Sequence, residues 1–366
     1  MSDIKNISYL QMAYSLAEKA RGWSSPNPYV GAVIVKRDMI VGHGFHEKSG
    51  LPHAETVALQ RAGSLAANGT LYVTLEPCVH WGKTPPCVEG ILRARLKRVV
   101  ISALDPNPLV YKKGLKRIRE AGIEASAGLL QEKNNRLNET YIKYITKKIP
   151  FVVAKAAVSL DGKMATQRHE SRWISSAQTR EYFHLLRGEY DAIMVGIGTL
   201  IKDDPRLTVR HPDWKGKRLT RIIVDSRLRF PLEARILSTL SQGKVLVFTS
   251  KNSSPRKAEA LQKKGVEVIR LSSSQGGLNL EEILSRLGKQ ETTSVLVEGG
   301  GGLLTSMLER RLIDKMFITL SPKLIGGKDA LSLFQGRGAE LIKDSLPLKR
   351  INTFQIDKDI IVEGYL

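Results

Sequence analysis

The sequence predicts an α/β protein of two domains, and three observations carry that reading. Its 366 residues exceed the size at which a single hydrophobic core usually stops growing. Short apolar runs alternate with helical periodicities in both halves, the pattern of a sheet covered by helices. A basic, helix-like stretch at 129–148 ends at Pro150, where a new apolar strand begins. The expected domains are therefore 1–148 and 149–366.

Taken in order, residues 8–20 (SYLQMAYSLAEKA) put Tyr9, Met12, Ala13, Leu16, Ala17 and Ala20 at helical spacing and predict an opening amphipathic helix. YVGAVIV (29–35) and MIVGHGF (39–45) read as strands, followed by a helix from His53, a strand TLYVTL (70–75), a helix beginning near Pro86 and a strand RVVISAL (98–104). The triplets EPC and PPC are expected at the starts of two successive helix-like segments. After Pro150 come the strands FVVAKAAVSL (151–160), DAIMVG (191–196), RIIVDS (221–226), KVLVFTS (244–250), VEVIRL (266–271), SVLVEGG (294–300) and KMFITLSP (315–322). SSSQGG (272–277) reads as a polar loop, and there is no internal repeat.

Composition narrows the function. No apolar run is long enough to cross a bilayer and the N-terminus lacks a signal-peptide layout, which points to the cytoplasm and away from membranes. Two cysteines cannot build a disulfide framework, so a close pair is read as metal-binding or catalytic. The net charge of +21 is spread evenly: 22 basic and 12 acidic residues in 1–150 give +10, and 35 and 24 in the remainder give +11. Without a basic tail or an aromatic-interleaved stripe, the charge suits phosphorylated small molecules about as well as nucleic acid.

His53 and Glu55 stand two residues apart, and Cys78 and Cys87 follow with eight residues between them. One imidazole and two thiolates suit zinc, and three protein ligands leave a fourth position for water, whose proton the metal makes easier to lose. Glu55 beside such a site can move protons between that water, a ring nitrogen and a leaving amine. The order His-x-Glu, Pro-Cys, Cys is similar to that of zinc-dependent cytidine and nucleobase deaminases, which usually read Cys-x-x-Cys. A nucleic-acid base deaminase with an accessory domain is therefore the rival reading.

The loop CVHWGKTPPC (78–87), with NPYVGAVIV (27–35), HEKSGLPHAE (46–55), TLEPC and DPNP (105–108), resembles the deaminase half of the bifunctional riboflavin-biosynthesis deaminase/reductases. That resemblance implies a cytidine-deaminase-like α/β/α layer domain in which Asn27, His46, His80 and Lys83 surround the substrate. After DPNP this chain reads LVYKKG, with Lys112 in a turn that is Gly-rich in the family.

The second half has no Gly-x-Gly-x-x-Gly after a strand, so the standard dinucleotide fingerprint is missing. A strand, four glycines (299–302) and a helical pattern stand instead, and backbone N–H groups there can hold phosphate. KAAVSLDGKMA (155–165), SRWISS (171–176), LLRGEYDAIMVGIGTLIKDDPRLTVR (185–210), VDS, VEGG and SPKLIGG (321–327) resemble the reductase half of the same family, of dihydrofolate-reductase-like fold. The resemblance implies NADPH contacts at Ala157, Trp173, Thr199, Asp203, Ser226, Gly300, Gly301, Gly302, Leu303, Leu304, Thr305 and Ser306. It implies substrate contacts at Ser171, Arg187, Leu207, Arg210 and Glu298, with Lys155 near the reacting carbon. His169 stands where the family has a glycine. The family reading also implies zinc as the second cofactor, phosphorylated small molecules as partners rather than nucleic acid, and a homo-oligomer, dimer or tetramer.

Overall fold

Valine- and isoleucine-rich runs form the strands of two separate sheets, and alternate residues of each run face different helices. The computed structural model describes residues 2–211, 214, 216–274 and 277–366. It separates into two units, Met1–Lys148 and Ile149–Leu366. The stretch expected as a polar loop at 272–277 instead pairs Ser273–Ser274 antiparallel with Gly277–Leu278, and its residues 275 and 276 lie outside the described residues.

The first unit contains α1 (Ser2–Ala17), β1 (Gly31–Lys36), β2 (Met39–Phe45), α2 (Ala54–Ala62), β3 (Thr70–Leu75), α3 (Cys87–Arg93), β4 (Arg98–Ala103), α4 (Lys113–Glu120), β5 (Glu124–Ala127), α5 (Gln131–Leu137) and α6 (Glu139–Lys147). Its sheet runs β2-β1-β3-β4-β5, with β1 antiparallel to both neighbours and β3, β4 and β5 parallel. Ala32, Ile34, Leu71, Val73, Val99 and Ile101 pack in one cluster with α2 and α3 residues. Val33, Val35, Tyr72 and Val100 pack on the other face against Leu10 and Ala13 of α1. The period of two thus buries both faces, which is why the strands read as continuous apolar runs. α1 lies so close to β1 that a Cβ on Gly31 would fall 1.9 Å from the carbonyl oxygen of Ala13.

The second unit adds β6 (Phe151–Ser159), β7 (Lys163–Ala165), α7 (Ala177–Glu189), β8 (Ala192–Gly196), α8 (Ile197–Asp203), β9 (Thr220–Val224), β10 (Val245–Ser250), α9 (Pro255–Lys263), β11 (Glu267–Leu271), β12 (Ser273–Ser274), β13 (Gly277–Leu278), α10 (Leu280–Lys289), β14 (Ser294–Glu298), α11 (Gly301–Glu309), β15 (Lys315–Ser321), β16 (Leu331–Ser332), β17 (Lys349–Ile356) and β18 (Asp359–Tyr365). Nine strands form one sheet in the order β11-β10-β9-β8-β14-β6-β15-β18-β17. The first seven are parallel and the C-terminal hairpin closes the edge antiparallel. Helices α10 and α11 bury Ile283, Leu287, Leu304 and Met307 against one face, while α7 buries Phe183 and Leu186 against Phe151, Val153 and Leu296 on the other.

Three expectations drawn from helical patterns need correction. The opening helix starts at Ser2 and tightens into a 3₁₀ turn at Glu18–Ala20. The basic stretch 129–148 is two helices broken at Asn138, whose buried amide accepts from Tyr29 N at 2.7 Å and donates to Tyr29 O at 3.1 Å. That pairing draws the chain out of helical geometry. EPC starts no helix; Cys78 lies in the loop after β3, and only PPC leads into one. The C-terminal hairpin, β5 and α4 carried no strong apolar signal, and β17 is mostly exposed.

Replacing Gly31 by Ala should lower the stability of the first unit by about 2 kcal/mol or more, because overpacking against a helix backbone forces the helix to shift. A urea midpoint equal to that of the unchanged protein would show that α1 moves freely on β1.

Candidate active sites

Three local elements converge in the first unit. His53 caps the start of α2, Cys87 is the first residue of α3, and Cys78 sits just beyond β3. Their ligand atoms all lie within 4.8 Å of one another. His53 Nδ1 is 3.1 Å from Cys87 Sγ and 3.6 Å from Cys78 Sγ. A tetrahedral zinc with ordinary bond lengths separates sulfur and nitrogen ligands by roughly 3.6 Å, so the set fits that ion. His53 Nε2 stands 3.3 Å from Thr84 Oγ1. Donation to that hydroxyl leaves Nδ1 as the lone-pair nitrogen facing both sulfurs, the outer-sphere arrangement that orients metal-binding histidines. The loop between the cysteines closes on itself, with Val88 N donating to Cys78 O at 3.3 Å and Cys87 N to Cys78 Sγ at 3.4 Å. Hydrogen bonding from Cys87 draws the Cys78 thiol down to about 4, while its bond to Cys78, together with burial, pushes the Cys87 thiol well up.

Glu55, two residues into the helix, is only 3% exposed, and burial pushes its pKa up despite the pull of His53. His46 is also buried, which lowers its pKa. Its Nδ1 faces the Pro52 carbonyl at 3.2 Å, and a carbonyl only accepts, so Nδ1 carries the hydrogen. Nε2 then accepts from Asn27 Nδ2 at 2.9 Å. The His46 ring meets His53 edge-on, centroids 5.1 Å apart, so Asn27 and His46 both border the metal set. His80 Nδ1 is buried without a hydrogen-bond partner, and Lys83 is exposed on the same loop.

Behind Cys78 lies a carboxylate that the sequence reading missed. Glu76 is 3% exposed and accepts three backbone N–H bonds, from Asp105 at 3.3 Å, Lys112 at 3.0 Å and Leu115 at 3.0 Å. It ties the DPNP turn and the start of α4 to the strand that delivers Cys78. Lys112, where the family turn is Gly-rich, has φ +61°, and His169, at the other replaced glycine, has φ +62°. Both keep a left-handed backbone that usually favours glycine.

In the second unit a polar cluster forms beside the end of β14 and the middle of β6. Glu298 pairs in register with Lys155, and both belong to the face covered by α7. Arg187 of α7 clasps Glu298 with two bonds, Nε to Oε1 at 2.8 Å and Nη2 to Oε2 at 2.6 Å. Burial pushes the Glu298 pKa up, but the Arg187 and Lys155 charges hold it below the usual value. Burial also lowers the Lys155 pKa, helped by Arg187 and Arg180, and its ammonium sits 4.7 Å from the Phe183 ring centre. Leu207 is buried with φ +53° and precedes Thr208, whose carbonyl accepts from Arg187 Nη1 at 3.3 Å. His184, absent from the sequence reading, lies between Arg187 and Arg210, each 3.2 Å away. Only its spacing of three residues from Arg187 on a helix could have signalled it. Ser171 is half-buried in the segment before α7.

Most of the expected cofactor residues follow the carboxyl ends of the parallel strands, the ordinary crevice of such sheets, while Ala157 lies within β6. Thr199 and Gly300 join the loops after the paired strands β8 and β14 through a 2.9 Å bond from Gly300 N to Thr199 Oγ1. Around a Cβ built on Gly302 there is open space, so a phosphate can approach the first turn of α11. The side chains of Leu304 and Thr305 are buried, Thr305 Oγ1 accepting from Gln335 N at 2.7 Å, and Ser306 Oγ bonds back to Gly302 O. Trp173 is 61% exposed, with the Arg180 guanidinium 4.2 Å from its ring centre. Asp203 is held by Arg172, and Ala157 and Ser226 are half-buried in or just after β6 and β9.

Comparison with known proteins agrees with this division. Residues 4–103 match the cytidine and deoxycytidylate deaminase zinc-binding region, and residues 150–362 match the RibD C-terminal domain. The riboflavin biosynthesis protein RibD of Aquifex aeolicus is 44% identical over 97% of each chain, and that of Escherichia coli K12 is 37% identical over 93% of this chain and 94% of its own. Among solved structures, Acinetobacter baumannii RibD superposes with a TM-score of 0.89 at 36% identity, covering 99% of both chains. A Thermotoga maritima diaminohydroxyphosphoribosylaminopyrimidine deaminase/5-amino-6-(5-phosphoribosylamino)uracil reductase gives 0.87 at 36% identity, covering 100% of this chain and 99% of its own. The fold and the sites define a bifunctional enzyme, a zinc-binding deaminase domain followed by a reductase domain. The chain belongs to the RibD family of riboflavin biosynthesis proteins.

Glu76→Gln should destabilise the first unit by about 1–3 kcal/mol, since the amide replaces an acceptor oxygen with a donor facing backbone N–H groups. Thermal unfolding and zinc retention check this together; an unchanged melting curve would show that the three bonds contribute nothing net.

Proposed function

We propose that the chain performs two consecutive steps of riboflavin synthesis. The first unit hydrolyses the amine from diaminohydroxyphosphoribosylaminopyrimidine, releasing ammonia. The second reduces the ribosyl side chain of 5-amino-6-(5-phosphoribosylamino)uracil to ribityl with NADPH. The observation that carries the reading is the convergence of His53, Cys78 and Cys87 beside the buried Glu55.

In this reading His53, Cys78 and Cys87 hold zinc, which supplies an acidified water near neutral pH. Glu55, buried beside these ligands, would hold and move the protons of the hydrolysis, to the ring nitrogen and then to the departing amine. Asn27, His46, His80 and Lys83 bind the pyrimidine and its ribose phosphate. In the second unit NADPH supplies hydride. The residues hold its target: Arg187, Arg210 and Ser171 bind the phosphoribosyl group, Glu298 fixes Arg187, and Leu207 shapes the pocket. Lys155 stands by the reacting carbon, and its lowered pKa eases proton donation to the opening ribose oxygen. Trp173, Thr199, Asp203, Ala157, Ser226 and the Gly300–Gly302 turn bind the dinucleotide.

No described helix is long and apolar enough to cross a membrane. The two cysteines are free thiols beside a histidine rather than a disulfide, which fits a reducing cytoplasm. The outer edge strand β17, with Ile351 59% exposed on it, supports a homo-oligomer, which light scattering will test.

Atomic emission should find about one zinc per chain, as expected for a single three-ligand site, with ammonia released in the absence of NADPH. Glu55→Gln should keep the zinc and lose at least about a hundredfold in deamination; near-unchanged turnover removes Glu55 from this role. Cys87→Ser should lose zinc and destabilise the first unit while reductase activity stays measurable. Lys155→Ala should impair reduction alone, and an equal loss of deamination would argue against separate sites.

A further inference from the structure

The imidazole of His184 is held between two guanidinium groups. Nδ1 lies 3.2 Å from Arg187 Nη1 and Nε2 lies 3.2 Å from Arg210 Nη2. Guanidinium only donates, and a neutral imidazole has a single lone-pair nitrogen, so only one of the two contacts can be a hydrogen bond. The choice between them follows from mobility. Arg187 is fixed by its two bonds to Glu298 and a third to the Thr208 carbonyl, and it cannot withdraw. Arg210 is exposed on a loop and can. Nδ1 is therefore the acceptor, and Nε2 carries the hydrogen. The Nε2–H and Arg210 Nη2–H groups then point towards one another across 3.2 Å, an arrangement relieved when both turn onto a shared anionic oxygen.

From this geometry we propose that His184 is a substrate-binding residue of the reductase, donating from Nε2 to the phosphate of the phosphoribosyl group alongside Arg210. The role is that of a neutral donor whose tautomer is set by Arg187 and, through Arg187, by Glu298. Burial, followed by the charges of Arg187 and Arg210, lowers the His184 pKa to about 4, so the ring is neutral under working conditions. A neutral donor lets the site select phosphate by placement without adding a further cation beside Arg187, Arg210 and Lys155. The proposal rests on the reading of the second unit as acting on a phosphorylated substrate.

Two variants separate the two ring nitrogens. His184→Asn places an amide near the Nδ1 position only and leaves no donor at the Nε2 position, whereas His184→Gln reaches the Nε2 position with an amide N–H. In reductase assays of the full chain, Asn should raise KM for the phosphorylated substrate by ~10- to 100-fold, the loss expected for a hydrogen bond to a charged group, with kcat within about threefold. Gln should recover much of that loss. With the dephosphorylated ribosylaminouracil, the unchanged protein and His184→Asn should have equal KM. An equal penalty on both substrates would overturn the proposal and make His184 a packing residue. Independently of turnover, inorganic phosphate should shift the His184 Nε2–H resonance in the ¹⁵N-histidine-labelled chain, the signal being assigned by its loss in His184→Asn. A phosphate-insensitive resonance would also overturn the proposal. If the unchanged protein reduces no phosphoribosyl substrate but its resonance responds to phosphate, the substrate reading fails and the anion site stands.

Discussion

In both units the sheet is buried on both faces, and that constraint determines where chemistry can occur. A charge in a strand interior would be stranded among valines and isoleucines unless it is partnered, so most polar side chains of the sites stand where strands end or helices begin, and Lys155, in the middle of β6, pairs in register with Glu298. The thiol of Cys78 comes one short loop after β3, His53 and Cys87 come at helix starts, and Glu298 comes at the end of β14. The sheet interiors supply rigidity, and their exits supply function.

The exits bring charges close to the interior, and each is compensated in a different way. Glu76 has three backbone donors but no cation among its hydrogen-bond partners. Arg187 and Glu298 neutralise one another with a two-bond fork, a geometry that offsets the desolvation of both groups. Arg221, fully buried on β9, is held by the hydroxyl and carbonyl of Thr239 and by the Gly243 carbonyl, and burial lowers its pKa to about 10. Glu76 ties a turn to a strand, Arg187 a helix to a strand, and Arg221 a strand to the 3₁₀ segment Arg235–Gln242.

The zinc set was legible because its residue types are rare and its members are close in sequence. The seven parallel strands were legible for a related reason, since two buried faces write an unbroken apolar run. Other features depend on partners that no local pattern reveals. Asn138 breaks a helix because Tyr29, 109 residues earlier, receives its amide. His184 is a single helical histidine until Arg210 folds back onto it. Glu76 looked like part of a cysteine motif, and its three donors are the backbone N–H groups of Asp105, Lys112 and Leu115, 29 to 39 residues on. The C-terminal hairpin escaped because β17 is mostly exposed and has no core-facing run to mark it. The positions Lys112 and His169 show the converse: glycine is absent from the sequence, yet the left-handed backbone persists, because neighbouring contacts such as the Lys112 N–H bond to Glu76 hold it.

The pairing of Lys155 with Glu298 bears on how the molecule is made. Strands β6 and β14 are far apart along the chain, and a one-residue slip between them would turn one of the two side chains onto the opposite face. The reductase centre consequently exists only after long-range parallel pairing is complete, the slow kind of folding event. The metal ligands fall within a single short span of the first unit and need only local closure. During synthesis, the deaminase pocket can assemble on a nascent chain whose reductase half has yet to acquire a site.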